Sequence, residues 1–123
     1  MKIGKVAERT GLSVDTLRFY EKIGLIASPA RDAGGRRDYD PEVIGWIGFL
    51  GQLNATGMKQ ADRVRYAALR QKGPGTAAER RAMLEAHRDD IRRRISDLTE
   101  TLALMDRKIG AYRAMEQERT DDE

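Results

Sequence analysis

Apolar and small side chains share one helical face over residues 3–10, at the three- and four-residue spacing of an amphipathic helix. Gly11 follows and is suited to end that helix, because glycine readily adopts the left-handed conformation of a helix C-cap. Ser13 is then a suitable N-cap for a second helix, which we expect to run to about Glu21 with Leu17 inward. Two short helices joined by a tight Gly-Leu-Ser connection predict a helix-turn-helix.

A glycine turn, two arginines and an aromatic residue at positions 34–39 predict a short β-hairpin wing. Asp40 and Pro41 then predict the start of a third helix, with the aspartate as N-cap and the proline at the first helical position. That helix carries a core stripe formed by Val43, Ile44, Trp46, Ile47, Leu50 and Leu53. Its glycines at three-residue spacing predict the close approach of another helix: Gly45, Gly48 and Gly51.

A fourth helix is expected after Gly57, with Met58, Ala61, Val64 and Ala68 facing inward. The glycine- and proline-bearing residues 72–75 then break the helical pattern. We therefore expect a DNA-binding unit at residues 1–72 that consists of the winged helix-turn-helix and a helical pair.

A heptad repeat follows that break and predicts a coiled-coil helix over residues 76–117. Its apolar positions alternate at spacings of four and three and include Arg88 at one position; the expected dimerisation residues are Leu84, Ile91, Ile95, Leu98, Leu102, Met105, Ile109 and Tyr112. Because this narrow seam leaves Leu and Ile in water unless it is covered, the helix needs a partner. Self-association is favoured over docking on another protein, since the chain offers no second long helix. The acidic tail at residues 118–123 is expected to be disordered.

The overall fold class predicted is therefore mainly α, with a β-hairpin wing and a long C-terminal dimerisation helix. Charge divides along the same lines. Residues 1–75 hold 13 basic and 8 acidic side chains, whereas residues 76–123 hold 10 basic and 12 acidic ones. This asymmetry points to an anionic partner for the first part of the chain, although chance asymmetry explains it equally well on charge alone.

Several classes of function lose support from the composition. The chain has no cysteine, which removes disulfides, thiolate metal sites and thiol chemistry. The lone His87 has no metal-ligand partners at suitable spacing, and no catalytic constellation is present, so we expect no metal, no cofactor and no enzyme activity. No apolar run approaches the roughly 18 residues of a membrane span, and residues 1–4 do not begin a signal peptide, so a cytoplasmic protein is expected.

The second helix carries the first candidate contact surface. With Leu17 inward, Arg18 and Phe19 point outward, a pairing that suits a DNA backbone because the guanidinium can grip phosphate while the ring packs on sugar. The helix N-terminus is itself a phosphate-binding feature, because the backbone N–H groups of Val14 and Asp15 are free. The alternative is that Phe19 packs under the wing.

The wing carries the second candidate surface, formed by Arg36, Arg37 and Tyr39. Arginines on a wing can reach the minor groove or the flanking phosphates. The alternative is an ordinary solvated turn. Basic side chains of the fourth helix extend the footprint in one interpretation and form a solvated face in the other: Lys59, Arg63, Arg65 and Arg70.

Residues 3–7 and 11–26, together with Pro29, Arg31, residues 35–37 and Tyr39, resemble the MerR family of bacterial transcription regulators. The resemblance implies an antiparallel coiled-coil homodimer on double-stranded promoter DNA, in which the dimer bends and untwists an over-long spacer for RNA polymerase. Together with the helix-terminus residues Ser13 and Val14, it implies DNA contacts by Thr16, Arg18, Phe19, Tyr20, Arg36, Arg37 and Tyr39.

Three departures from the family pattern limit the resemblance. Phe19 stands where many members carry tyrosine, residues 58–62 differ from the usual segment after the glycine, and the sensing cysteines are absent. The resemblance therefore identifies no inducer. An architectural or excisionase-like DNA-bending protein remains the alternative function, and a coiled-coil adaptor with an incidental basic head is a third interpretation.

Overall fold

The computed structural model describes the backbone of residues 1–122 and the side chains of residues 1–121. Its helices and strands follow the chain in the order α1 Ile3–Thr10, α2 Val14–Ile23, β1 Ala30–Arg31, β2 Arg37–Asp38, α3 Val43–Ala55, α4 Gln60–Gln71 and α5 Ala77–Asp122. The predicted fold class is confirmed: the chain is mainly helical, with a two-stranded hairpin and a long last helix. It divides into two compact units, Met1–Leu84 and the residues from Glu85 onward.

The corner between α1 and α2 forms for the reasons that the sequence indicated. Gly11 adopts a left-handed conformation with φ 75° and donates its N–H to the carbonyl of Ala7. The Ser13 hydroxyl accepts the backbone N–H of Thr16 at 3.0 Å and caps α2. The helix continues two residues beyond the expected end, to Ile23, and Leu17 is fully buried within it.

The predicted hairpin is present, and its strands pair antiparallel with Arg31 opposite Arg37. Gly35 closes the turn with φ 79°, a conformation that favours glycine. The backbone N–H of Tyr39 donates to the carbonyl of Met1 at 2.7 Å, so the first residue of the chain lies beside the end of β2. This contact ties the wing to the start of α1.

Helix α3 begins at Val43, two residues later than Pro41, the predicted first helical position. Asp40 still satisfies a backbone donor, since its Oδ1 accepts the N–H of Glu42 at 2.9 Å, but the residues between form a turn. The predicted stripe is confirmed at Ile47 and Leu50, which join a core cluster with Val6, Leu17, Leu25, Ile26 and Tyr39.

The glycine row of α3 is exposed, and no helix within residues 1–122 approaches it, so the predicted close approach of another helix stays a prediction for a partner chain. Nothing lies within 4 Å of the point where a Cβ would stand on the three glycines, Gly45, Gly48 and Gly51. Ile47 and Leu50 are buried in the core, and the glycine row lies on the exposed side of the same helix.

The buried face of α4 differs from the predicted one. Met58 is buried and Val64 packs against the core cluster, as expected, but Ala61 and Ala68 are exposed. The other residues that the helix buries are Arg63, Tyr66, Ala67 and Leu69. The reason is aromatic packing: the Tyr66 ring stacks on Trp46 with centroids 5.9 Å apart, which sets the rotation of α4 against α3.

A 3₁₀ turn at Pro74–Thr76 separates α4 from α5, after Gly73 at φ 96°, so the predicted break is confirmed. Helix α5 continues through Asp122, and the expectation of a disordered tail was wrong over residues 118–122; Glu123 lies outside the described residues. The Gln117 amide donates to Asp121 at 3.2 Å, an i,i+4 contact that supports the last turns. None of the helices in the described part of the chain is long and apolar enough to cross a membrane.

Candidate nucleic-acid interface

The outward face of α2 presents Arg18 and Phe19 to solvent. Phe19 is 47% exposed, so it is not covered by the wing as the alternative interpretation required. Arg18 is also exposed, and its nearest acidic group is the Asp15 carboxylate, 3.7 Å away on the same helix. An ion pair this exposed contributes little and can yield to a stronger anion.

The other predicted α2 residues lie around the two exposed ones. Ser13 is exposed at the helix start, and its hydroxyl is engaged with Thr16. Thr16 and Val14 are half-buried, and Tyr20 is half-buried against the core cluster. Fewer of the predicted contact residues on α2 are exposed than the sequence indicated.

A concavity with a volume of about 400 Å³ lies between α2, the wing and the start of α1. Its lining carries five cationic side chains together with Ile3 and Gly35, the cations being Lys2, Arg18, Arg31, Arg36 and Arg37. We call these five residues the basic concavity. This concavity lies within the first compact unit, Met1–Leu84. Several cations around one hollow are suited to bind phosphate groups.

Lys2 and Arg31 are members of the basic concavity that the sequence analysis did not select as contacts. Arg31 is brought in by the hairpin register, which places it opposite Arg37. Lys2 is brought in by the pairing of residue 1 with the end of β2 and by its ion pair with Asp32. The predicted hairpin could have indicated that Arg31 lies beside Arg37, whereas no local pattern in the sequence indicates that Lys2 joins them.

The two wing arginines have different surroundings. Arg36 is exposed, and no acidic side chain pairs with it among residues 1–121. Arg37 is half-buried, and its Nε donates to the Glu21 carboxylate at 2.9 Å. Arg36 is therefore freely available to an anion, while Arg37 is already partly committed.

Tyr39 is buried, with only 3% of its surface exposed, so its side chain offers little surface for the predicted contact with DNA. Its hydroxyl lies 3.2 Å from the Glu21 carboxylate, and its ring belongs to the core cluster. Burial, followed by the negative charge of Glu21, raises the pKa of Tyr39 above its usual value of 10.0. Tyr39, which follows β2, points to the core because it packs between the wing and α2.

The basic side chains of α4 divide in a similar way. Arg63 is buried and donates from Nε to the carbonyl of Met58 at 3.2 Å. Arg70 lies 4.2 Å over the Trp46 ring, a cation–π contact. Lys59, Arg65 and Arg70 are all exposed. At most part of this helix can therefore extend the cationic surface.

Asp32 organises the turn of the wing. Its Oδ1 accepts the backbone N–H groups of Gly34 and Arg36 at 2.9 and 3.0 Å, and its other oxygen pairs with Lys2. The hydrogen bond from Lys2, and next that from the Arg36 backbone, holds the pKa of Asp32 below its usual 3.8. One carboxylate thus joins the wing to the start of the chain.

Replacing Asp32 with alanine should loosen the wing, because two backbone donors and Lys2 lose their acceptor. The lowered pKa means that this stabilisation is fully present above pH 3.8 and is lost as the pH falls through the lower value of the folded state. The loosening of the wing can be measured by amide hydrogen exchange at residues 34–36. Rapid exchange in the variant at neutral pH is expected, and exchange rates equal to those of the wild type would contradict the role assigned to Asp32.

A helix-turn-helix, a short wing and a concave cationic surface between them define a winged-helix DNA-binding unit. The family model for the MerR family regulatory protein matches residues 2–39 of this chain. An uncharacterised HTH-type transcriptional regulator of Haemophilus influenzae is 34% identical over 108 residues, covering 88% of this chain and 80% of that protein. The chain belongs to the MerR family, and it is a helix-turn-helix transcription regulator.

Further relatives agree. The regulator AdhR of Bacillus subtilis is 36% identical over 74% of this chain and 65% of its own length. A solved structure of HiNmlR, described as a MerR family regulator lacking the sensor domain and bound to promoter DNA, is 33% identical with a TM-score of 0.78, covering 91% of this chain and 89% of that one. A MerR family structure from Listeria monocytogenes has a TM-score of 0.81 at 34% identity over 91% of this chain and 85% of that one.

Proposed function

We propose that two copies of this chain act together on promoter DNA, each copy holding the duplex with α2 and the wing, and that the dimer bends and untwists the DNA. The observation that carries this proposal is the basic concavity, where five cationic side chains surround one hollow beside the exposed face of α2. Phosphate contacts provide most of the affinity in such interfaces and position the protein on the duplex.

Within this proposal the contacts divide by chemistry. The four arginines of the basic concavity bind phosphate oxygens, and Lys2 adds a point charge. The exposed Phe19 ring packs on a sugar, and the first turn of α2 offers backbone N–H groups near Val14 to a further phosphate. Tyr39 supports these groups from the core and does not touch DNA.

The seam of α5 is the proposed dimer interface. Its apolar side chains are largely exposed in the single chain, with Leu98 at 69%, Leu102 at 63% and Tyr112 at 61%; Ile95, Met105 and Ile109 are also exposed, and Leu84 and Ile91 are half-buried. Covering each such side chain contributes about 1.5–3 kcal/mol, so association of two seams is strongly favourable. A parallel pair in register would place Arg88 against the partner's Arg88, which favours the antiparallel arrangement.

A dimer of this kind presents two cationic surfaces to one duplex. Two such surfaces joined in one dimer can hold DNA in a bent and untwisted form, and the binding energy offsets the deformation. We propose that RNA polymerase then reads a promoter whose elements the dimer has realigned, and that the protein works without catalysis or a cofactor.

The experiment starts by selecting the operator from a random duplex library with the purified protein. Bending is then measured by fluorescence transfer between the ends of the selected duplex, and open-complex formation by permanganate footprinting with bacterial RNA polymerase on a promoter carrying that duplex between its two elements. Protein-dependent bending with increased opening is expected. Bending without any change in opening would instead assign the architectural function, and a straight duplex would contradict the proposal.

A further inference from the structure

Glu21 lies in α2 and is directed at the wing. One of its carboxylate oxygens, Oε2, accepts hydrogen bonds from two side chains of the wing segment: Arg37 Nε at 2.9 Å and the Tyr39 hydroxyl at 3.2 Å. The Glu21 side chain is only 12% exposed, and that of Arg37 is 28% exposed. A single shielded oxygen therefore joins the exposed helix to the wing.

We propose that Glu21 is a positioning residue for DNA binding, which holds the Arg37 guanidinium in the basic concavity and locks the wing against α2. This inference rests on the proposed function, since it assumes that the concavity binds phosphate. It differs from the contacts proposed above because Glu21 is negatively charged and touches no DNA.

The physical reason lies in the cost of ordering. An arginine side chain has many rotamers, and immobilising one on binding costs about 0.5–1.5 kcal/mol. A charge-assisted hydrogen bond at a shielded site already holds Arg37 in one geometry, and Arg37 lines the same hollow as Arg36 and Arg18. The wing thus meets the duplex with its arginine already in place.

This role predicts an effect opposite in sign to simple electrostatics. Removing a negative charge near a phosphate-binding surface should strengthen DNA binding if the charge only repels DNA. If Glu21 positions Arg37, the same removal should weaken binding. Glu21→Gln keeps the size of the side chain, removes its charge and replaces one acceptor oxygen with an NH2 donor, so it weakens the charge-assisted contact with Arg37 and separates the two cases.

The matched control is Glu8→Gln. Glu8 lies on α1, its side chain is 71% exposed, and its partner Lys5 is 3.6 Å away, so the substitution makes the same change in net charge outside the concavity. Fluorescence anisotropy on the selected operator duplex at several salt concentrations should show Glu21→Gln binding about tenfold more weakly, with a log–log salt slope shallower by up to about 0.9. Glu8→Gln should bind as tightly as the wild type or more tightly.

A second variant tests the coupling. Arg37→Lys keeps the positive charge but lacks the Nε–H that Glu21 accepts, so it should weaken binding by a similar factor. Because the two residues act as one unit, the double variant should be no weaker than either single one. If Glu21→Gln binds as tightly as Glu8→Gln, or if the two single effects multiply in the double variant, the positioning role is overturned.

Two further measurements keep the outcome interpretable. Thermal unfolding confirms that the Gln and Lys variants are folded at the temperature of the binding assay. In ¹⁵N NMR of the free protein, the Arg37 Nε–H signal should exchange slowly in the wild type and fast in Glu21→Gln, whereas fast exchange in both would count against the contact. If the wild type binds no duplex, the proposed function fails, while the NMR result still tests the Glu21–Arg37 contact on its own.

Discussion

Replacing Leu98 with glutamate should dissociate the dimer and abolish operator binding. Leu98 lies in the middle of the heptad seam and is 69% exposed in the single chain, and in the proposed dimer the partner helix would cover it. In the dimer each copy would bring a carboxylate into the apolar interface, at a cost of several kcal/mol per ion. The dissociation constant of the dimer should therefore rise by about 1,000-fold or more, as measured by analytical ultracentrifugation.

Leu104→Glu provides the matched control on the same helix. Leu104 is 49% exposed and lies outside the seam positions, so the same substitution there should leave both the dimer and its DNA affinity intact. A Leu98→Glu protein that still sediments as a dimer would show that the seam is not the interface. A monomer that keeps full operator affinity would show that pairing is not needed for binding.

Replacing both Arg18 and Arg36 with alanine should nearly eliminate operator binding while leaving the dimer intact. Each loss removes a charge-assisted hydrogen bond worth about 1.5–3 kcal/mol, so the two together should weaken binding by about a thousandfold for each copy engaged. Because each phosphate contact contributes about 0.9 to the log–log salt slope, the slope should become shallower by about 1.8 per copy. Anisotropy titrations across a range of salt concentrations measure both quantities.

Arg107→Ala is the control for the loss of positive charge. Arg107 is exposed on α5, in the second unit and outside the seam, so its removal should change the affinity little. Equal weakening per charge removed by Arg107→Ala and by the double variant would mean that net charge, rather than the basic concavity, determines affinity. Sedimentation of the double variant as a dimer shows that any loss of binding is local.

The order of elements in this chain could be predicted from the sequence because their causes are local. Gly11 and Ser13 end and start helices through their own backbone and hydroxyl chemistry, and the hairpin needs only its glycine turn. The heptad repeat likewise predicts a long helix with one apolar stripe. The outward pair on α2, Arg18 and Phe19, followed from the inward position of Leu17.

Which residues form the basic concavity depended on contacts between segments that are distant in the sequence. No local pattern marks Lys2, which reaches the basic concavity because residue 1 pairs with residue 39 across the fold. The burial of Tyr39 was missed for the same reason, since an aromatic residue after a basic wing can face either solvent or core, and only packing against α2 decides between them. The Glu21 carboxylate that accepts from Arg37 and Tyr39 likewise comes from 16 and 18 residues away along the chain.

The sequence alone thus determined which helices and turns form and that the last helix carries an apolar seam, because capping and periodicity act over a few residues. Only the tertiary structure decided which cations share one hollow and which side chains hold them in place. The rotation of α4, set by Tyr66 on Trp46, and the burial of Arg63 belong to that second group. Such choices depend on the relative placement of whole elements, which no short stretch of sequence specifies.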